Sequence, residues 1–174
     1  DILKELLTAM EMPIYEIDGY EADDILGTFA KIASEKSLEC LLVTGDRDAL
    51  QLIDDNVNVL ITKKGISDIH RFDADEVKKE YGLSPAQIVD LKALMGDSSD
   101  NIPGVPRVGE KTGTKLLKEY QTLEGVYENI DNMKKSRVRD NLIKYKDQAI
   151  MSRELATIIK TVPIDIDISE CYFA

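Results

Sequence analysis

The stretch Leu38–Asp48, LECLLVTGDRD, runs from a short apolar segment straight into two carboxylates. The segment 38–44 is too short for a helix and apolar almost throughout, as expected for a parallel strand buried on both faces. Asp46 and Asp48 follow its C-terminal end, and in open parallel sheets ligands bind in the crevice beyond those ends. A helix cap would account for one of these acids but not for both.

Working outward towards the N-terminus, Ile2, Leu3, Leu6, Leu7 and Met10 recur at helical spacing, and Pro13 stops that helix. PIYEID (13–18) alternates and reads as a short strand, and Gly19 turns the chain into a helix over EADDILGTFAKIAS. Ile25, Leu26, Phe29, Ile32 and Ala33 form its core face. Towards the C-terminus, DALQLI begins another helix, giving the strand–helix alternation of an α/β fold. NVNVLIT and ISDIHRF flank Lys63-Lys64-Gly65 as a hairpin. Helices follow over ADEVKKEY, PAQIVDLKALM, EKTGTKLLKEY and most of 123–159. Val162, Ile164, Ile166 and Ile168 alternate as a terminal strand, placed at an edge by Pro163.

The 174 residues suit one domain with a substantial core. The chain begins at Asp1 rather than Met, which reads as a fragment or a processed chain. It contains no 18-residue apolar run and no signal peptide, so a soluble, cytoplasmic monomer with no membrane partner is expected. Cys40 and Cys171 lack metal-type spacing and read as buried free thiols.

The net charge of −11 argues at first sight against a nucleic-acid partner, but its distribution is uneven. Residues 1–24 carry eight acids and one base, whereas 104–118 carry Arg107, Lys111, Lys115 and Lys118 against Glu110 alone. Residues 134–146 add six bases against Asp140, an auxiliary basic run. Cations held in one place and phosphates in another would suit this division, although solvated helix faces would give the same counts.

Three acidic groups stand out: Glu21, Asp23 and Asp24 at a helix start, Asp46 and Asp48 past a strand, and Asp97 and Asp100 in the turn GDSSDN. Each taken singly has a structural explanation in a helix dipole, a cap or a turn. Together, seven carboxylates in one crevice would repel unless cations neutralise them. All seven offer oxygen, and His70 lies in the hairpin, so the set suits Mg²⁺ or Mn²⁺ rather than Zn²⁺.

The stretches GYEADDILGTFA, VTGDRDALQL and ALMGDSSDNIPGVPRVGEKT, in this order, resemble the 5′-nuclease (flap endonuclease) family. The likeness extends along essentially the whole chain. Its nearest branch is the N-terminal 5′→3′ exonuclease domain of bacterial type I DNA polymerases. The resemblance implies an α/β, PIN-like (Rossmann-like), mostly parallel sheet with helices, followed by a helix–three-turn–helix (helix–hairpin–helix) DNA-binding subdomain. The expected division is 1–72 for the C-terminal part of the PIN-like core, 73–160 for the helical subdomain with its loop at 96–112, and 161–174 for the returning strand.

The resemblance also implies two Mg²⁺ or Mn²⁺ ions and hydrolysis of 5′ ends and 5′ flaps on double-stranded DNA. Glu21, Asp23 and Asp24 match the acids near the first ion, Asp46 and Asp48 the next pair, and Asp97 and Asp100 those reaching the second. The family's domain starts before the position of Asp1, with a strand that supplies an early metal-binding Asp and an arch of basic residues. These 174 residues alone are therefore expected to be inactive or nearly so, and a polymerase segment in the parent chain stays open. Two further departures are Arg107, where the family usually has Gly, and Gly113 in place of Ala. Arg107 either adds a phosphate contact or disturbs a turn that needs positive φ.

GVPRVGEKT (104–112) also lies close to a nucleotide-binding P-loop. Against that reading, a helix and a turn precede it rather than a strand. Pro103 and Pro106 remove N–H groups, and Glu110 occupies the required Lys position. The helix–hairpin–helix reading assigns Gly104, Val105, Arg107, Gly109, Lys111, Thr112 and Lys115 to DNA backbone contact, with K⁺ held by loop carbonyls as the family implies. Lys111 and Lys115, four apart, share a helix face. The rival functions are a duplex-binding module without catalysis and, more remotely, a nucleotide-binding protein.

Overall fold

The computed structural model describes residues 1–64, 68–165 and 168. The chain opens with α1 (Ile2–Ala9), capped by Asp1, and continues through an irregular segment to α2 (Ala22–Glu35). β1 (Cys40–Thr44) leads into a 3₁₀ turn at Arg47–Leu52. β2 (Val57–Lys64) and β3 (Asp68–Phe72) follow. The rest is helical: α3 (Ala74–Tyr81), α4 (Gln87–Met95), α5 (Glu110–Tyr120), α6 (Leu123–Glu128), α7 (Arg137–Lys144) and α8 (Lys146–Ala156).

The described sheet has the order β1-β2-β3. β1 runs parallel to β2 with Leu42 opposite Val59, and β2 runs antiparallel to β3 with Ile61 opposite His70. The hairpin expected from NVNVLIT and ISDIHRF forms, while its turn at 65–67 lies outside the described residues. α3 starts on Asp73, whose carboxylate accepts from the Glu76 N–H at 2.8 Å, and stops at Gly82 in the left-handed region.

Three expectations are corrected. PIYEID forms no strand, because no neighbouring strand pairs with it among the described residues; Tyr15 instead packs edge-on against Phe29, with ring centroids 5.1 Å apart. β1 is buried on one face only: Leu42 is 4 % exposed, but Leu41 and Val43 are 47 % and 61 % exposed. Among the described residues α2 and the 3₁₀ turn pack against β1 and cover the face that carries Leu42. Residues 161–165 form no strand, and 166, 167 and 169–174 lie outside the described residues. N–H groups leading into and along this segment bond side chains: Ile158 to Gln51 Oε1 at 3.0 Å, Ile159 to Asp24 Oδ1 at 2.8 Å and Val162 to Thr28 Oγ1 at 3.0 Å. Those side chains take the place of a partner strand.

Two apolar cores result. One lies under the sheet around Leu50, Val57, Val59 and Phe72; the other lies among the helices around Leu94, Val105, Leu117 and Leu142. α4 belongs to both, with Ile88 in the first and Leu91 and Leu94 in the second. It is therefore the element that fixes one half of the molecule against the other. Cys40 is a half-buried free thiol whose pKa burial pushes up. Cys171 lies outside the described residues. Among the described residues no helix is long and apolar enough to cross a membrane.

Candidate metal centre and nucleic-acid interface

The N-terminus of α2 supplies the first acids. Glu21 and Asp24 form a reciprocal capping box, with the Glu21 N–H donating to Asp24 Oδ2 at 3.2 Å. The other Asp24 oxygen accepts from Ile159, so this carboxylate also ties down the returning segment. Asp23 does no capping. Burial raises its pKa first, followed by repulsion from Asp46, Glu21, Asp24 and Asp100. Those named repulsions come from all three acidic groups of the sequence, which places them around one space.

The second pair sits where β1 ends. Asp46 caps the 3₁₀ turn by accepting from the Asp48 N–H at 2.8 Å, and its own N–H donates to Thr44 Oγ1 at 3.0 Å. That turn sends Asp48 towards α4, where it pairs with Lys92. The side chains of Asp48 and Lys92 are each only 14 % exposed.

The third pair depends on a closed loop after α4. The Asp97 N–H donates to Ile102 O at 2.9 Å and the Ile102 N–H to Asp97 O at 2.7 Å. The Ser99 N–H donates to Asp97 Oδ1 at 2.9 Å, an Asx turn that keeps the loop tight. Asp97 Oδ2 then lies 2.6 Å from Lys92 Nζ and Asp100 Oδ2 3.7 Å from it. One carboxylate oxygen from each of Asp48, Asp97 and Asp100 falls within 4.8 Å of the others.

Electrostatics in this cluster follow the geometry. Hydrogen bonds from Lys92 and Ser99 hold the Asp97 carboxyl at about 2. Burial pulls the Lys92 ammonium down, but its bonds to Asp48 and Asp97 outweigh burial and leave its pKa raised. Burial pushes the Asp48 carboxyl up against the opposing pull of Lys92.

A cleft of about 500 Å³ unites these elements. Its lining comprises Glu21, Asp23, Asp24, Asp46, Asp48 and Asp100 together with Ile102 and the segment Glu154 to Ile159. Asp97 sits in an adjoining hollow it shares with Asp46, Asp48, Lys92 and Asp100. Of the seven acids picked from the sequence, six therefore line one cleft, and the seventh, Asp97, is linked to Asp48 through Lys92. His70 stands apart, its Nε2 3.2 Å from Glu76.

The loop at 96–112 begins at the C-terminal end of α4, carries Asp97 and Asp100 in its first turn, and is braced further on by α7 and α8. The Gly104 N–H donates to the buried Ser152 Oγ at 3.0 Å, and Gly104 O accepts from Gln148 Nε2 at 2.6 Å. Asn141 Nδ2 donates to Pro106 O at 2.7 Å. Gly104 has φ +58, and a Cβ there would fall on the backbone of Gly96. Val105 is 2 % exposed, and its N–H donates to Leu94 O at 2.8 Å. Gly104 and Val105 thus hold the loop from inside. Arg107, Gly109, Lys111 and Lys115 are exposed, and Thr112 is half-buried. Arg107 adopts φ +69, so its turn requires the conformation that favours glycine. Gly109 caps α5, whose N-terminus carries the partial positive charge of the helix dipole next to Lys111.

Two residues escaped the sequence reading. Lys92 is the cation of the acidic cluster, and its signal was a lysine inside the otherwise apolar face of LKALM, five residues before Asp97. Arg153 pairs with Glu124 and lies 3.7 Å from the buried Asp90, whose carboxylate accepts from the Leu123 N–H at 2.9 Å. This second network locks α4, α6 and α8 together.

Comparisons with known proteins bear on both regions. Residues 1–82 match the family model described as 5′-3′ exonuclease, N-terminal resolvase-like domain, and residues 83–174 match 5′-3′ exonuclease, C-terminal SAM fold. The chain is 50 % identical over 172 residues to a DNA polymerase I of Streptococcus pneumoniae, covering 99 % of this chain and 20 % of that protein. It is 49 % identical over 167 residues to the DNA polymerase I of Bacillus subtilis, covering 96 % and 19 %. The chain thus spans about a fifth of the length of the curated relatives it matches. Among solved structures, a bacteriophage T5 5′-exonuclease with bound divalent metal ions (zinc) superposes with a TM-score of 0.79 at 23 % identity, covering 90 % of this chain and 58 % of that one. At this identity the likeness establishes the fold.

Proposed function

The chain belongs to the 5′-3′ exonuclease family, and from that premise we propose that it forms part of a divalent-metal-dependent 5′→3′ exonuclease and 5′-flap endonuclease acting on duplex DNA. The observation that carries the reading is the convergence of Glu21, Asp23, Asp24, Asp46, Asp48 and Asp100 on one cleft, with an Asp97 oxygen close to those of Asp48 and Asp100. Nothing in a soluble domain's stability requires so many carboxylates to face one another; cations offset that repulsion.

The donor set fits two Mg²⁺ or Mn²⁺ ions: the acids gathered in the cleft are all oxygen donors, the hard ligands these cations take. Glu21, Asp23 and Asp24 would lie near one, Asp97 and Asp100 would reach the other, and Asp46 and Asp48 would supply the next pair of ligands, Asp48 with an oxygen close to those of Asp97 and Asp100. Bound there, such ions would neutralise a scissile phosphate and acidify an attacking water. The chain's own residues do the rest. α4 holds the Asp97–Asp100 loop at a fixed distance from the β1 end, and the segment 154–159 walls the cleft.

The second half of the proposal is a grip on the DNA backbone by Arg107, Gly109, Lys111, Thr112 and Lys115. Gly104 and Val105 set the loop's shape from inside, and a K⁺ ion on the loop carbonyls completes it. Contacts of this kind read phosphates rather than sequence. A polymerase segment in the parent polypeptide is part of the proposal, in line with relatives named DNA polymerase I.

A 5′-flapped duplex incubated in Mn²⁺ with the parent polypeptide, and separately with these 174 residues, tests the reading. Flap release abolished by Asp97→Asn with Asp100→Asn is the expected result for the parent. Cleavage indifferent to that double substitution would overturn it. Retention of the duplex without cleavage by the 174 residues alone would assign them the grip without the full chemistry.

A further inference from the structure

Lys92 places its ammonium where three carboxylates of the acidic cluster converge. Its Nζ pairs with Asp48, lies 2.6 Å from Asp97 Oδ2 and lies 3.7 Å from Asp100 Oδ2. The oxygens of these same three residues lie within 4.8 Å of one another and offer a cation site. An ammonium and a divalent ion drawing on one set of oxygens cannot both have their full share. We propose that Lys92 is a tethered counter-ion that competes with the divalent metal for Asp48, Asp97 and Asp100, keeping the cluster assembled before metal binds and giving way when it does.

Three features support this. First, Lys92 comes from α4, which is anchored in both cores, so its backbone stays fixed while its four-carbon stem leaves the ammonium free to swing. Second, the three acids come from two separate segments, the 3₁₀ turn and the 97–102 loop, and Lys92 is the group that draws them together. Third, the hollow around Lys92 is also lined by Asp46 and Glu110, so a displaced ammonium has acidic neighbours to turn to. Lys92 is accordingly a positioning residue: it acts on the reaction through the metal ligands. Its effect on metal affinity has the opposite sign to that of a supporting residue. Removing a support loosens the metal, whereas removing a competitor tightens it.

The inference rests on the metal reading above, and the test separates the two. Mn²⁺ is titrated into this chain and into Lys92→Met and Lys92→Arg, with calorimetry and electron paramagnetic resonance as readouts. Lys92→Met, close in length and uncharged, is expected to bind Mn²⁺ about tenfold more tightly than the parent chain. It should also melt earlier without metal and gain more from Mn²⁺ than the parent chain does. Lys92→Arg, which keeps the charge, should show no tightening. Equal or weaker Mn²⁺ binding by a folded Lys92→Met would overturn the proposal, while no Mn²⁺ binding by any of the three would instead overturn the metal reading. Should Lys92→Met not fold, Mg²⁺ titration of the unaltered chain carrying ¹³Cε-lysine decides. The Lys92 signal, assigned from its loss in Lys92→Arg, is expected to move towards that of solvated lysines. A signal unmoved at saturating Mg²⁺ would contradict the competition.

Discussion

The acidic cleft and the hairpin loop handle charge in opposite ways. In the cleft, side chains carry the charge and are partly withdrawn from water, and caps, turns and Lys92 set their directions. In the hairpin the backbone is withdrawn, pinned by Ser152, Gln148 and Asn141, while Arg107, Lys111 and Lys115 stand in solvent. The difference follows from what each region is proposed to hold. A small cation needs several oxygens converging on a point, which demands fixed side chains. A phosphate backbone is long and regular, so a rigid loop outline with mobile positive groups on it is enough.

The largest expected effect comes from breaking the hairpin's rigid side. Gly104→Ala places a Cβ on the Gly96 backbone at φ +58 and should cost about 3 kcal/mol. Calorimetric melting would show this as a fall of roughly 10 °C. A change of a degree or less would mean that the loop yields easily and is not the rigid half of the comparison.

Next in size is the exposed side. Lys111→Ala with Lys115→Ala should lower the slope of log affinity against log salt for duplex DNA by about 2, since each lysine removed leaves one phosphate unneutralised. Mn²⁺ binding should be unaffected, since neither residue lines the cleft. A weakened metal affinity would merge the two regions into one.

Arg107→Gly sharpens the contrast within a single residue. Relief of φ +69 should stabilise the chain by about 1 kcal/mol. If the guanidinium touches phosphate, the same change should weaken duplex binding. Denaturant melts and a salt-dependent binding curve separate the two effects, and a less stable glycine variant would show that Arg107 packs rather than strains.

The smallest effect is in acid. The Asp97 carboxyl is held at about 2, below its ordinary 3.8, so its contribution is full above pH 3.8 and is lost as pH falls through 2. Thermal midpoints between pH 5 and 2 should fall less for Asp97→Asn than for the parent chain. Parallel curves would show that the Lys92 contact adds nothing to stability.

Much of this division could be read in the chain itself. Periodicity gave α2, α3 and α5 because each carries its own cap or stop, such as Asp73 and Gly82. The three acidic groups could be found because short motifs place them at a helix start, a strand end and a turn. What could not be read depended on partners remote in sequence. Among the described residues PIYEID has the alternation of a strand but no strand beside it, and the segment from Ile158 to Val162 bonds side chains of the 3₁₀ turn and α2 instead of a sheet. β1 shows an apolar run, yet burial depends on what packs against it, and only one face is covered. Gly104 and Val105 look like ligand-contacting loop residues by motif, while their N–H groups are spent on Ser152 and Leu94, partners no local pattern announces. Lys92 was overlooked because one lysine in a helix is ordinary until two loops bring three carboxylates to it.

The central claim is that acids from three separate segments gather in one cleft as a two-ion divalent-metal centre independent of the DNA grip. Mn²⁺ titration followed by electron paramagnetic resonance, alongside duplex binding, tests it on the chain and on Asp97→Asn with Asp100→Asn. The double variant is expected to bind Mn²⁺ about 100-fold more weakly while its duplex affinity and salt slope stay the same. Unchanged Mn²⁺ affinity in a folded double variant would contradict the claim.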